Sequence, residues 1–334
     1  MRFLEEAAGR RFTAAVARVE RRGELVYERA FGTTRLDGDV RPTYVDTRFD
    51  LASITKVFVT TVALGVVARG ITTLDAPLVS YIPEWDGTEH APISMRMLLS
   101  HASGMHSGAD YRELLDDNVV DFALRRPLAA QPGERVIYSD LGMIALGVAV
   151  ERMTSRALPS SIAAIWGPQV QYNPDAREHG AIPATERDGW RGRVQGSVHD
   201  EKAHLMGGVA GHAGLFGTAA AVSRMTEIYL AAACGRRQDV LPDELAREAI
   251  TCAADDPVLR RGVGWALKTT DENSCGARFG PRSFGHTGFT GTCVWADPDR
   301  DLQAVLLTNT VYFGREESRS LRVAFYDAVI ESFG

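Results

Sequence analysis

The sequence predicts an α+β protein: one antiparallel sheet built from both chain termini and flanked by helices, with a large all-helical region inserted between them. Three observations predict this. Strand patterns open the chain, long helical periodicities run from Ser53 to about residue 250, and strand patterns then return. The expected division joins residues 1–52 and 255–334 as a sheet domain and leaves 53–254 as a mainly helical one. The functional site is expected at their junction.

Residues 11–19 and 24–32 read as two strands joined across Arg21-Arg22-Gly23, a hairpin. From Ser53 to Arg69 the chain is apolar nearly all round, with Ile54, Val57, Phe58, Val59, Val62, Leu64, Val66 and Val67. That run is too long for a strand and stops at Gly70, so it reads as a buried helix. Further helices are expected over 94–100, 111–125, 141–154, 219–233 and 243–250, separated by Pro/Gly loops. Strands are expected over 262–270, 283–289, 292–297 and 302–308. The last two flank Asp297-Pro-Asp-Arg-Asp301, which has turn chemistry. An amphipathic helix over 316–331 closes the chain.

The 334 residues, 45% of them hydrophobic, can bury a large core. A net charge of −6 with dispersed arginines shows no basic stripe, so no nucleic-acid partner is expected. No window is long and apolar enough to span a membrane. The first residues carry acids and arginines without an apolar core, so a cytoplasmic location is expected. Cys234, Cys252, Cys275 and Cys293 are widely spaced and read as free thiols. No P-loop, nicotinamide fingerprint or G-x-S-x-G elbow is present, and no cofactor is expected.

Lysine is nearly missing. There are only Lys56, Lys202 and Lys268 among 37 basic residues. A lysine that persists where arginine serves elsewhere is suited to what arginine cannot do, which is to give up a proton. Lys56 closes Ser53-Ile54-Thr55-Lys56, an S-x-x-K arrangement. Positions i and i+3 of a helix share a face, so Ser53 and Lys56 can meet near the helix start, where free N–H groups favour negative charge. Burial is expected to lower the lysine pKa and let it share the work of a base. The plainer alternative makes Ser53 a helix cap and Lys56 a surface residue.

Two more motifs follow: Tyr138-Ser139-Asp140 before an apolar helix, and His286-Thr287-Gly288 on an expected strand. Together with Ser53-x-x-Lys56, their order and separations resemble the penicillin-recognising serine hydrolases, in particular the class C β-lactamase-like branch. Leu98-Leu-Ser-His-Ala-Ser-Gly104 and the Gly-rich run Gly207–Gly217 add to the resemblance, which extends almost end to end. It implies the β-lactamase/transpeptidase-like fold. It also implies Ser53 as the nucleophile of an acyl-enzyme, with Lys56 and Tyr138 acting together as base and then acid. The backbone N–H groups of Ser53 and Phe289 would form the oxyanion hole, and Asp140, His286, Thr287 and Gly288 would face the substrate.

The chain departs from that pattern twice. Many relatives have asparagine where Asp140 stands, and an ionised aspartate accepts hydrogen bonds but donates none. Asp140 either faces the cleft and holds Lys56 charged, or caps the helix beginning at Leu141, or does both. The β-lactamases usually carry lysine where this chain has His286. A neutral imidazole binds a carboxylate more weakly than an ammonium does. His199, Asp200, Glu201, His204 and His212 form no zinc spacing, so no metal is expected; they read as a loop and Gly-rich rim beside the cleft. His101 and His106 read as structural.

The expected function is a serine hydrolase acting on a small ester or peptide-like substrate, most simply a carboxylesterase. A D-amino-acid peptidase or amidase, a weak β-lactamase, an acyltransferase and a catalytically idle binding protein are the alternatives. The oligomeric state is not legible, and a homo-oligomer stays open.

Overall fold

A computed structural model describes residues 1–315 and 318–334. Helix α1 (Arg2–Ala7) precedes the hairpin β1 (Ala14–Arg21) and β2 (Glu24–Gly32), which turns at Arg22 and Gly23 with φ of 56° and 77°. A two-residue strand β3 (Phe49–Asp50) runs into one 3₁₀ turn, Ala52–Ile54, and then into helix α2 (Thr55–Ala68). Eleven of the fourteen α2 residues are buried, as an all-round apolar pattern requires.

The inserted region continues with α3 (Met95–Leu99), α4 (Val119–Arg125), α5 (Asp140–Thr154) and α6 (Leu158–Trp166). The helix expected over 111–125 is two pieces: a 3₁₀ turn, Tyr111–Leu114, and α4. Asn118 restarts the chain as a cap by accepting from the Val120 and Asp121 N–H groups. Helix α6 was not foreseen. Neither were β4 (Val170–Tyr172), the small hairpin β5 (Arg187–Asp188) and β6 (Gly192–Arg193), α7 (Glu201–Leu205), or β7 (Leu215–Gly217). These strands have two or three residues, too few for a period-2 pattern to register. The inserted region is therefore mainly helical but carries two small sheets, one ordered β3-β7-β4 and one formed by β5 and β6. Helices α8 (Ala219–Ala233) and α9 (Asp243–Ala249) complete it.

The strand pattern then resumes with β8 (Ala266–Leu267), β9 (Phe284–Thr287), β10 (Cys293–Asp297) and β11 (Leu302–Thr308). The strand expected over 262–270 shrinks to β8. Gly264 takes φ +82° and the Gly262 N–H turns back to the Trp265 carbonyl, so the backbone is bent before pairing begins. Helix α10 (Arg319–Phe333) ends the chain; residues 316 and 317 of the expected helix lie outside the described residues.

The six-stranded sheet has the order β2-β1-β11-β10-β9-β8, antiparallel throughout. Its centre joins the two chain ends, with Ala15 opposite Thr308 and Arg21 opposite Leu302. Every residue of β11 is buried, and alternate side chains serve opposite layers. Val305 and Leu307 join the core shared with α2, α5 and α8. Ala304 and Leu306 pack with Phe325, Tyr326 and Val329 of α10. Among the described residues no helix is long and apolar enough to cross a membrane, and all four cysteines are free.

The sheet also holds the segment ahead of α2. Beyond β9, the Thr290 hydroxyl donates to the Asp50 carbonyl at 2.9 Å and the Thr292 hydroxyl to the Leu51 carbonyl at 3.2 Å. Gly288 lets this contact form, because a Cβ there would fall on Thr292 Oγ1 and lie 2.7 Å from the Leu51 oxygen. Gly288→Ala is therefore expected to destabilise the fold by about 1–3 kcal/mol through overpacking. A lower urea midpoint at unchanged m-value checks this; an unchanged midpoint would mean the contact yields freely.

Candidate active site

Ser53 lies in the 3₁₀ turn, one residue after Ala52, whose φ is +46°. A left-handed alanine is unfavourable by roughly 1–2 kcal/mol, and the surroundings hold it there. The Ala52 N–H donates to one Asp50 carboxylate oxygen at 2.8 Å, and the His199 N–H donates to the other at 2.6 Å. Three residues on, Lys56 is 1% exposed and uses all three ammonium donors. Its Nζ meets Ser53 Oγ at 2.8 Å, the His212 carbonyl at 3.1 Å and Asp140 Oδ1 at 2.8 Å.

The electrostatics correct one expectation. Burial does act to lower the Lys56 pKa, but Asp140, followed by Tyr138, outweighs it, and the net shift is upward. The Asp140 carboxyl moves oppositely. Burial pushes it up, while Lys56 first, then His212 and Lys202, bring it below its ordinary value. The two shifts agree, and Lys56 rests as an ammonium. The cap reading of Asp140 fails. Ser139 is the cap of α5, accepting from the Gly142 N–H at 2.8 Å, and Asp140 is the first helical residue with its carboxylate turned into the cleft.

Tyr138 reaches the same place from the loop before α5. The Ser139 N–H donates to His101 Nδ1 at 3.1 Å, the Ser139 hydroxyl to the His106 carbonyl at 2.6 Å, and the Ile137 N–H to the His101 carbonyl at 2.8 Å. His101 and His106 thus position the tyrosine motif. The His101 ring packs on Tyr138 with centroids 4.5 Å apart, and burial, with Arg261 and Lys56 adding, holds that imidazole neutral. Lys56 Nζ is 4.9 Å and the Arg261 guanidinium 5.1 Å from the Tyr138 ring centroid, so the ring is flanked by two cations.

His286 and Thr287 arrive on β9, in register with Val294 and Cys293 of β10. Burial, then Lys56 and Arg261, pushes the His286 pKa down to about 3, so the imidazole is neutral at ordinary pH. A cavity of about 230 Å³ brings Tyr138, Arg261, His286, Thr287 and Arg322 together. A polar cavity of about 530 Å³, bordered by Tyr111, Glu186, Asp188, Lys202 and Arg315, lies along α7. A larger one of about 860 Å³ near Tyr44 and Glu178 contains none of these residues. Phe289 is half exposed and stacks on His199, with ring centroids 5.6 Å apart; its N–H makes no hydrogen bond to another described residue.

The structure adds three residues that the motifs did not identify. Lys202 Nζ lies 3.3 Å from Asp140 Oδ2 and 3.1 Å from Asp200 Oδ2, and His212 Nε2 lies 2.8 Å from Asp200 Oδ1. The scarcity of lysine singled out Lys202 as much as Lys56, but no motif told the two apart. Asp140, Asp200 and His212 place ligand-type atoms within 4.8 Å of one another. The Lys202 ammonium already meets both carboxylates where a cation would sit, so we do not read them as metal ligands. Chemically, the cleft offers a hydroxyl against a cation, a phenol flanked by cations, and backbone donors at a helix start: the components of nucleophilic acyl transfer.

A family model described as Beta-lactamase matches residues 2–328. The chain is 31% identical to Esterase EstB of Burkholderia gladioli over 96% of this chain and 91% of that protein. It is 30% identical to the N-acetylmuramyl-L-alanine amidase of Bacillus subtilis (strain 168) over 91% of this chain and 78% of that protein. The class C beta lactamase from Rhodobacter sphaeroides superposes with a TM-score of 0.78 at 18% identity, covering 99% of this chain and 98% of that one, a likeness of fold.

Asp140→Asn removes the charge that favours the Lys56 ammonium, so hydrolysis of activated esters is expected to rise at a lower pH than in the parent protein. The helix should survive, because Ser139 supplies its cap. Paired pH–rate profiles check this, and coincident profiles would show that the carboxylate does not set the ionisation of Lys56.

Proposed function

The chain belongs to the beta-lactamase family of serine hydrolases, and from that premise we propose that it is a carboxylesterase acting on small acyl esters through an acyl-enzyme on Ser53. The observation that carries the ester reading is Asp140. A carboxylate engaged by two ammonium groups has no N–H to donate to the carbonyl of an amide or β-lactam. An activated ester needs less such help because its leaving group departs more readily. The neutral His286 supports the same reading, since it offers a substrate carboxylate no full charge. The similarity to a protein named as an esterase also agrees with it.

In this mechanism the Ser53 hydroxyl attacks the ester carbonyl while its proton passes into the Lys56–Tyr138 pair. The ammonium of Lys56, spent on three acceptors, cannot take that proton until it has lost one of its own. Tyr138, whose ring is flanked by Lys56 and Arg261, is the partner that can share it. The N–H groups of Ser53 and Phe289 stabilise the oxyanion, and the same pair returns the proton to the departing alcohol. Water then repeats the sequence in reverse and frees Ser53.

A second reading has its own support. The similarity to a protein named as an amidase keeps D-amino-acid amides and muramyl peptides in view. Purified protein tested against p-nitrophenyl esters, D-amino-acid amides and nitrocefin decides between them. Faster turnover of the amides than of the esters would overturn the esterase reading.

Ser53→Ala is expected to abolish ester hydrolysis while the circular dichroism spectrum and melting point stay close to the parent. Ser53 makes no capping bond that the change would remove. Retained turnover would place the nucleophile elsewhere. Lys56→Arg should be nearly as inactive as Lys56→Ala, because a guanidinium keeps its proton. A largely active arginine variant would reduce Lys56 to an electrostatic anchor.

A further inference from the structure

Lys56 and Lys202 share one carboxylate, and the shared contact belongs to a closed circuit. Lys56 Nζ binds Asp140 Oδ1, Lys202 Nζ binds Asp140 Oδ2, Lys202 also binds Asp200, and Asp200 binds His212 Nε2. The His212 carbonyl then accepts from Lys56 at 3.1 Å and returns the circuit to its start. The elements involved are α2, the first residue of α5, the cap and first turn of α7, and the Gly-rich loop before β7. Lys202 is 8% exposed, so its charge acts with little solvent between it and Asp140.

We propose that Lys202 is a positioning residue whose ammonium keeps Asp140 paired while Lys56 releases its proton, so that Lys56 can act as a base without leaving a buried carboxylate uncompensated. This rests on the acyl-enzyme reading of Ser53 and Lys56. With both lysines charged, the two ammonium and two carboxylate groups sum to zero. When Lys56 passes one proton to solvent, its lone pair turns to Ser53 Oγ–H and the four groups carry one negative charge. Without Lys202 the same step would take three groups from one negative charge to two. Removing one partner of a buried pair leaves the other charge uncompensated, and Lys202 prevents Asp140 from meeting that situation. Lys202 needs only its charge. Lys56 needs to lose its own.

Other charged and titratable groups are arranged around this pair without replacing it. Tyr138 from the loop before α5, His101 from the turn after α3 and His286 from β9 surround Lys56, and Arg261 from the loop before β8 lies against the Tyr138 ring. Glu201 and Arg315, which pair with each other, border the cavity on the far side of Lys202. None of these places a second cation on Asp140. The cations on that carboxylate within 4 Å, among the described residues, are Lys56 and Lys202.

The test uses Lys202→Gln, Lys202→Arg and the parent protein, each followed by the pH dependence of kcat/KM on a p-nitrophenyl ester. Lys202→Gln should move the rising limb to higher pH by about one unit, because a larger share of the Asp140 charge then falls on Lys56. Lys202→Arg should keep the parent midpoint. A Gln variant with reduced rate but an unmoved midpoint overturns the proposal, since a purely structural lysine would behave that way. A second measurement does not depend on the Gln variant folding. With lysine labelled at Cε, the parent protein has three resonances, and Lys202→Arg identifies one of them. Raising the pH should titrate Lys56 before Lys202, and the reverse order overturns the proposal. Fluorophosphonate labelling of the parent separates this result from the underlying reading. Labelling at Ser53 with an unmoved midpoint rejects the role of Lys202 alone, whereas no labelling rejects the Ser53 chemistry and this role with it.

Discussion

The contact on which this site depends is the buried ion pair between Lys56 and Asp140, 2.8 Å apart with the lysine 1% exposed. An ammonium taken out of water without a partner loses several kcal/mol of solvation, and α2 could not carry one in its buried first turn unaided. Asp140 supplies the partner only because Ser139 takes over the capping of α5 and releases the carboxylate. The Asp140 carboxyl lies below its ordinary value, held there by Lys56, and the Lys56 ammonium above its own, held there by Asp140, so the pair is charged throughout the interval between the ordinary carboxylate and ammonium ranges. Its contribution to stability is therefore complete across that interval. It is lost on the acid side as the carboxylate protonates and on the alkaline side as the lysine deprotonates.

That pair can form because the large sheet brings distant segments together. Strands β1 and β11 pair across nearly the whole chain, so this one contact closes a loop that contains all of the inserted helices. The turn between β9 and β10 contacts the residues just ahead of Ser53 through Thr290 and Thr292. On the other side β3 pairs with β7, which follows directly on the Gly-rich loop carrying His212. The positive φ of Ala52 is held from both directions. Strain of this kind persists where surroundings over-determine the backbone, and here it lies immediately before the serine.

The charges around Tyr138 have a common arrangement: cations on either side of the phenol, and imidazoles held neutral by burial. His101 accepts a backbone N–H and packs on the ring, while His286 stays uncharged opposite Lys56 and Arg261. Lys56, Arg261 and Lys202 supply positive charge here, and Asp140 and Asp200 supply negative charge. A proton removed from Ser53 enters a region where both its acceptors and the charge it leaves behind have partners.

The sequence by itself determined much of this. Period-2 and period-3.6 patterns located β11 and α8 to the residue and α2 nearly so, because long elements repeat their pattern often enough to be read. Three spaced motifs identified Ser53, Lys56, Tyr138 and β9 with their family. The sequence also posed the question of Asp140, but could not answer it. Whether a carboxylate caps its own helix or crosses to another depends on what stands opposite, and Lys56, Lys202 and Asp200 are separated from it by 84, 62 and 60 residues in the chain. The direction of the Lys56 shift was lost for the same reason: burial is legible in an apolar run, whereas a counter-charge on another helix is not. The short strands of the inserted region and the break before α4 are likewise set by partners rather than by local pattern. Tertiary structure alone decided these points, because the energy of a buried charge depends on distances in space that a linear pattern does not encode.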